Sequence, residues 1–386
     1  MTLRIGTMSI NIHVNFTNYG SALQTWALHR AINSLGEHEG GAPKWQAVLV
    51  DYCPDCLLGK DPLNPMEYMW DADEDSRRQC ELSLPAIREN AEKFDDFYHN
   101  SLVCTKGSYT SENFDSIVVD DGIDAFVCGS DTIFSPEEFG GFEDGYYANY
   151  PCMKGRSVAY APSFGDPHFK ERDWLALDCR LSNFLAVGLR EDLMVPYVRE
   201  NTRVPVQRVV DPTLLLTASD YSSITAPVQE EGDYLLLYSR RYNADMEAYA
   251  DRFAKEHGWK VVEISLRAEN VSKHRMFYEA GVEEFLSLVK HARFLVTNSF
   301  HGMIFGYHFK TPFYAFCREQ ANSKISECLD LMGLSDRFVV DPSLLTGSPL
   351  AVDWEGASNL IAAARRDSLK FLDMELDLLA NAVGNA

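Results

Sequence analysis

The feature that most constrains this chain is a repeating unit: a short apolar run, a polar turn, then a segment of helical length. Leu3–Ile10, Gln46–Asp51, Asp124–Gly129, Ser157–Ala161 and Leu185–Leu189 read as strands. Tyr19–Leu35 reads as a helix with Leu28, Ile32 and Leu35 on one face. The unit recurs later, with strands at Tyr234–Tyr238, Lys260–Ile264 and Phe294–Thr297 between helices at Asp245–His257, Val282–His291 and Phe300–Phe309. Strands that are apolar throughout and alternate with helices belong to a parallel sheet covered on both faces, which is an α/β architecture.

The polar stretch Thr217–Gly232 interrupts the pattern and reads as a linker. It divides the chain into an N-terminal lobe over 1–218 and a C-terminal lobe over 219–350, with an amphipathic helix in 351–386. Residues 55–80, rich in Pro, Asp and Glu, read as an irregular insertion, and Pro85–Asn100 as a helix. Arg190-Glu191-Asp192 reads as the opening of a helix.

The formal charge of −22 over 386 residues disfavours nucleic acid and anionic lipid surfaces as partners. A small anion must then be held locally, by Arg, Lys, His or helix N-termini acting against the global field. The N-terminal MTLRIGTMSINIHV has no charged leader before an apolar run, and no apolar stretch reaches the ~20 residues of a membrane span. A soluble cytoplasmic chain is expected. Its nine dispersed cysteines fit reduced thiols better than a disulfide framework. Cys53-Pro-Asp-Cys56 has metal-site spacing but no second ligand pair, so two incidental thiols are expected and no metal or cofactor.

Ligands of open parallel sheets bind beyond the carboxyl ends of the strands. That rule nominates the residues after each apolar run. Asn298-Ser299-Phe300-His301-Gly302 is the most pointed segment: Ser299 can cap a helix whose free N–H groups face the strand end, and His301 adds a titratable donor in its first turn. A capping serine and a satisfied core histidine would look the same. Arg190 ends its strand and suits fork recognition of a carboxylate or phosphate, unless it only pairs with Glu191 or Asp192. Arg240 and Arg241 follow the first strand of the second lobe, where they could meet a phosphate across the cleft, though a solvated position at a loop is the plainer reading for at least one of them; Arg318 and Lys324 are weaker basic candidates. Asn18-Tyr19-Gly20 opens the first helix, Ser130 and Asp131 close another strand, and Ser163 a third. Asp131 is the candidate base for a sugar hydroxyl, or a turn cap.

The chain has no GxGxxG, P-loop, HExxH or GxSxG motif, which removes support from dinucleotide, P-loop, zinc-protease and α/β-hydrolase chemistry. Instead NYGSALQTWAL, AFVCGSDTIF, SVAYAPSFG, LREDL, VVDPTLLL and FLVTNSFHGMIFGYHFKTPF, in this order, resemble the polysaccharide pyruvyl transferase family. The resemblance runs to about residue 335. Thr132 and Phe134 stand where the family reads Gln and Trp, and Pro162 where a small residue is common. If those positions line the acceptor pocket, the departure bears on acceptor choice and on activity.

The resemblance implies two facing Rossmann-like lobes of GT-B type. It implies transfer of a pyruvyl group from phosphoenolpyruvate to two hydroxyls of a hexose, closing a cyclic ketal without a metal. The family's donor-binding Arg and its SFHG histidine fall on Arg190 and His301. A sugar or lipid-linked oligosaccharide is the implied acceptor, which leaves peripheral association with the inner membrane face, and homo-oligomers, open. Two rivals stand beside this reading: a GT-B glycosyltransferase using a nucleotide sugar, with Glu269 as the ribose partner, and a non-catalytic glycan-binding relative.

Overall fold

The computed structural model describes residues 2–14, 16–37, 41–63, 74–165, 168–318, 322–345 and 349–384. Thirteen strands lie in two sheets. The first seven are β1 (Leu3–Met8), β2 (Trp45–Tyr52), β3 (Cys104–Tyr109), β4 (Ala125–Cys128), β5 (Ser157–Tyr160), β6 (Val187–Leu189) and β7 (Val206–Arg208). The other six are β8 (Tyr234–Tyr238), β9 (Lys260–Ile264), β10 (Arg275–Met276), β11 (Phe294–Thr297), β12 (Phe313–Phe316) and β13 (Phe338–Val339). Every pairing is parallel, so the α/β fold with helix-covered parallel sheets stands.

The first sheet has the order β3-β2-β1-β4-β5-β6-β7 and the second β10-β9-β8-β11-β12-β13. Both run outward in opposite directions from a central pair, β1/β4 in one and β8/β11 in the other. Crossovers diverge at such a pair, leaving a crevice beyond the carboxyl ends of its strands. The fold therefore presents two crevices, one per sheet. The central strands are apolar because both faces are covered: β4, β5, β8, β11 and β12 are buried end to end.

The helix Tyr19–Gly36 follows β1 and is buried along most of its length. Its Tyr19 ring stacks on Phe285 of the second lobe at 4.3 Å, and the Tyr19 hydroxyl donates to the Ala280 carbonyl at 2.8 Å. The last helix, Trp354–Gly384, starts beside the second sheet, where Trp354 lies against Phe313. It then crosses to the first lobe, where Ser368 Oγ accepts from Val210 N and Arg365 donates to the Leu214 carbonyl. Among the described residues no helix is long and apolar enough to cross a membrane.

Several local expectations need correction. The insertion read over 55–80 gives way at Glu74 to a 28-residue helix ending at Ser101, with Pro85 inside it rather than at its start. Pro85 and Glu81, whose carbonyl would have accepted its missing N–H, are both exposed, so water can stand in. Residues 64–73 of that stretch lie outside the described residues. Arg190-Glu191-Asp192 opens no helix; the helix there is Val195–Asn201, because Arg190 and Glu191 are drawn into a buried ion pair. The linker stretch holds a short helix, Ala218–Ser222, whose start is closed by reciprocal bonds between Thr217 and Asp220.

Candidate functional site

Residues beyond the two central strand pairs meet. On the first-lobe side β4 ends in Gly129-Ser130-Asp131. A Cβ at Gly129 would sit 1.8 Å from the Tyr160 carbonyl oxygen, so only glycine fits, and Asp131 follows with φ 75°. Asp131 Oδ2 accepts from Ser21 Oγ at 2.7 Å, and its Oδ1 from Thr132 N at 2.8 Å. On the second-lobe side β11 runs into Asn298 and Ser299, and Ser299 Oγ accepts from Gly302 N to cap the helix Phe300–Phe309. That helix carries His301 in its first turn.

His301 reaches the first lobe because of Gly20. A Cβ on Gly20 would fall 1.9 Å from His301 Nδ1, so the imidazole occupies the space a side chain would take. The starts of the Tyr19 and Phe300 helices are thus joined directly. Gly20 is approached closely, as glycine allows, by a histidine of the opposite lobe.

Arg190 lies at the centre. Its Nη1 donates to Asp211 Oδ2 at 2.7 Å, its Nε to Glu191 Oε1 at 2.9 Å, and its Nη2 lies 4.0 Å from Asp131 Oδ1. The guanidinium also sits over the Phe300 ring, 4.9 Å from its centroid. Asp211 anchors the arrangement. Its Oδ1 takes bonds from Thr213 N and Oγ1, while Oδ2 faces Arg190 and lies 3.5 Å from His301 Nε2. Burial alone would raise the Asp211 carboxyl; His301 and Arg190 instead hold it well below the carboxylate range. Asp131 is treated alike: burial raises its carboxyl, but Arg190, Lys324 and His301 bring it below its ordinary value.

At this cluster two buried nitrogens, Arg190 Nη2 and His301 Nε2, have no hydrogen bond among the described residues. Their side chains meet at Asp211 Oδ2, Arg190 through Nη1. Beside them a small hollow, about 300 Å³ counting its open mouth, is walled by Arg190, Asp211, Phe300, Lys324 and Cys328. Lys324 lies on the helix Asn322–Met332, its Nζ 5.9 Å from the Phe300 centroid, with no carboxylate of the described residues within 4 Å. Burial first, then Arg190 and Arg318, push its ammonium down to about 8. Burial, Arg240 and Arg241 push Arg318 down to about 10. Glu138, an exposed residue, is raised by desolvation and eased by Lys324.

The remaining candidates serve the frame. Asn18 caps the first helix through Gly20 N, and Asn298 ties two turns by accepting from Arg240 N and donating to the Arg241 carbonyl. Ser130 is fully buried, its hydroxyl on the Ala161 carbonyl, and Ser163 Oγ accepts from Gly165 N. Gly302 is required by Thr297, whose Oγ1 would lie 2.7 Å from its Cβ. Arg240 and Arg241 line a separate, larger cavity of the cleft together with Tyr19. Sequence reasoning did not single out Asp211, although Asp-Pro-Thr follows a strand and the strand-end rule reaches it. Lys324 had no such signal, being on a helix.

Two parallel sheets with divergent crossovers and a site between them define a two-lobed, GT-B-like fold. A solved structure shares this fold. One described as a UDP-N-acetylglucosamine 2-epimerase from Listeria monocytogenes is 9% identical with TM-score 0.51, covering 98% of this chain and 91% of that one. A glycosyltransferase from Rickettsia africae is 9% identical with TM-score 0.48 and full coverage of both chains. A UDP-GlcNAc 2-epimerase from Methanocaldococcus jannaschii is 11% identical with TM-score 0.44, covering 94% and 99%. At 9% identity the first of these is a likeness of fold alone. Among curated protein sequences none matches. The family is given by the sequence itself: the profile of the polysaccharide pyruvyl transferases matches residues 18–316, and the chain belongs to that family.

Proposed function

We propose that this protein transfers the pyruvyl group of phosphoenolpyruvate to two hydroxyls of a hexose, forming a cyclic ketal and releasing phosphate. One observation carries the reading: Arg190 and His301 converge on Asp211 Oδ2 through Nη1 and Nε2, and Arg190 Nη2 and His301 Nε2 are buried without a hydrogen bond, near the cationic Lys324. Unsatisfied buried donors are costly unless a partner arrives, and a small dianion or trianion is such a partner. Phosphoenolpyruvate offers a carboxylate and a phosphate in one compact molecule.

In the chemistry that fits, a proton is delivered to the methylene carbon, and C2 becomes electrophilic. A sugar hydroxyl oxygen then bonds to C2 and gives up its proton. The bond from C2 to the phosphate oxygen breaks, and inorganic phosphate leaves with that electron pair. A neighbouring hydroxyl bonds to C2, loses its proton and closes the ring. His301 is the proposed acid or phosphate ligand. Asp211 orients it, as second carboxylates orient catalytic histidines. Asp131, ionised and held by Ser21, is the proposed acceptor of the first hydroxyl proton. Arg190 is pre-set by Glu191 and Asp211, so little side-chain entropy is lost when the anion binds.

The nucleotide-sugar alternative loses its ribose partner, since Glu269 is ion-paired to Arg78. The test is phosphate release from phosphoenolpyruvate with a panel of glycan acceptors, followed by ³¹P NMR. Release that is lost on His301→Ala and Arg190→Ala supports the reading. Wild-type protein that is stabilised by nucleotide sugars, and neither binds nor cleaves phosphoenolpyruvate, overturns it.

A further inference from the structure

The larger cavity of the cleft has no role in the chemistry above. It encloses about 940 Å³ including its open mouth, far more than a donor of about ten non-hydrogen atoms fills. Both lobes build it. Thr17 and Tyr19 come from the start of the first helix, Gln79 and Asn90 from the Glu74 helix, and Tyr238–Tyr242 and Ile264–Arg267 from the ends of β8 and β9. It therefore opens at the crevice of the second sheet, where this topology places ligands.

Its lining has a peculiar balance. Among the described residues three arginines, Arg240, Arg241 and Arg267, line it and no Asp or Glu does, in a chain with 57 acidic residues against 35 Lys and Arg. The nearest carboxylates are occupied. Glu263 is buried and takes bonds from His274, Ser265 and Asn270, while Asp75 pairs with Arg267 from the rim. Aromatic rings supply the rest: Arg240 lies over Phe16 at 4.5 Å and Arg267 over Tyr242 at 4.3 Å. The Tyr238 hydroxyl, at 2% exposure, has no hydrogen-bond partner among the described residues. Positive groups beside aromatic faces and an unpaired hydroxyl suit an anionic sugar: ring faces pack on aromatics, phosphate oxygens take guanidinium bonds, and sugar hydroxyls satisfy Tyr238. A ribose diol, which calls for a carboxylate, finds none among the described residues that line it.

We propose that this cavity binds the acceptor as a phosphorylated saccharide, with the phosphate at Arg240 and Arg241 and the sugar against Tyr238 and Tyr242. The assignment rests on the transferase reading, yet its binding can be measured alone. The shared chemistry, a glycosyl phosphate, has two sources: a free sugar phosphate, or the headgroup of a prenyl carrier.

Calorimetric titration of the full chain with a hexose 1-phosphate, the parent hexose, inorganic phosphate, a uridine diphosphate hexose and a short-prenyl diphosphate hexose in detergent tests it. The hexose phosphate is expected to bind at least tenfold tighter than hexose or phosphate alone. Arg241→Gln should weaken it about tenfold and Arg241→Lys less, with phosphoenolpyruvate affinity held within twofold and both variants folded by circular dichroism. Tighter binding of the prenyl form assigns the carrier as source; equal binding assigns the free sugar phosphate. The proposal is overturned if the hexose phosphate binds no better than inorganic phosphate, if Arg241→Gln changes nothing, or if the uridine form binds more than tenfold tighter. Phosphoenolpyruvate binding without sugar-phosphate binding sinks this assignment alone, and the reverse result sinks the transferase reading alone.

Discussion

Arg190 and Lys324 face the same small cavity, and the protein treats them in opposite ways. Arg190 is gripped by Glu191 and Asp211, so its charge is neutralised and its orientation set before any ligand arrives. Lys324 has no carboxylate within ion-pair distance among the described residues, and it is pushed down to about 8 by burial and by the neighbouring cations. A folded protein tolerates a buried, repelled ammonium only where something else offsets it. The contrast separates two jobs that look alike in a list of basic residues. One cation is fixed to aim a donor; the other is left wanting an anion.

The comparison breaks most severely at Asp211. Asp211→Ala leaves the Arg190 guanidinium buried with one partner fewer and His301 without its carboxylate. Loss of one partner of a buried pair costs about 3–5 kcal/mol, which urea denaturation should register along with near-complete loss of phosphate release. Asp211→Asn, which keeps one bond without the charge, should fall between.

Gly20→Ala tests whether His301 owes its position to an absent side chain. The added Cβ collides with Nδ1 at 1.9 Å, so the imidazole must move. Phosphate release should fall about 100-fold, because misplacement of about 1 Å has that effect, with a smaller change in unfolding temperature.

Lys324→Met sharpens the contrast through pH. The folded lysine titrates near 8 and the unfolded one near 10.4, so between these values the unfolded chain binds more protons, and stability rises with pH across that window. Anion binding runs the other way: it needs the charged ammonium and weakens as pH rises through about 8. Phosphoenolpyruvate affinity measured from pH 6 to 10 should therefore drop in the wild type. In Lys324→Met it should be weaker throughout and lack that step. The smallest effect is expected at Phe16→Leu, which removes the ring beneath Arg240 and should weaken sugar-phosphate binding by about 0.5–1 kcal/mol.

Most of the frame was legible because its signals are local. Tyr234–Tyr238, Lys260–Ile264, Phe294–Thr297 and Phe300–Phe309 lie where their apolar runs and the cap at Ser299 place them. β3, Cys-Thr-Lys-Gly-Ser-Tyr, was not, since an edge strand need not be apolar and nothing in its composition separates it from a loop. At the site, the strand-end rule reached Arg190, Asp131 and His301; the fold brings Arg190 and His301 onto Asp211 and Asp131 to 4.0 Å from Arg190. It could not tell a hydroxyl turned to a ligand from one turned to the backbone, as at Ser130 and Ser163. Nor did it reach Lys324, which the sequence offered only as a weaker basic candidate, or the occupied state of Gly20. Both depend on packing between distant segments, Lys324 near Arg190 and Gly20 against His301, and pattern carries no such information.

The most direct measurement is a crystal structure of the full chain with phosphoenolpyruvate. The account predicts a phosphate or carboxylate oxygen within about 3 Å of Arg190 Nη2 and of His301 Nε2, with Lys324 Nζ turned toward the same molecule. Phosphoenolpyruvate lodged elsewhere, with both of those nitrogens still unbonded, would contradict it.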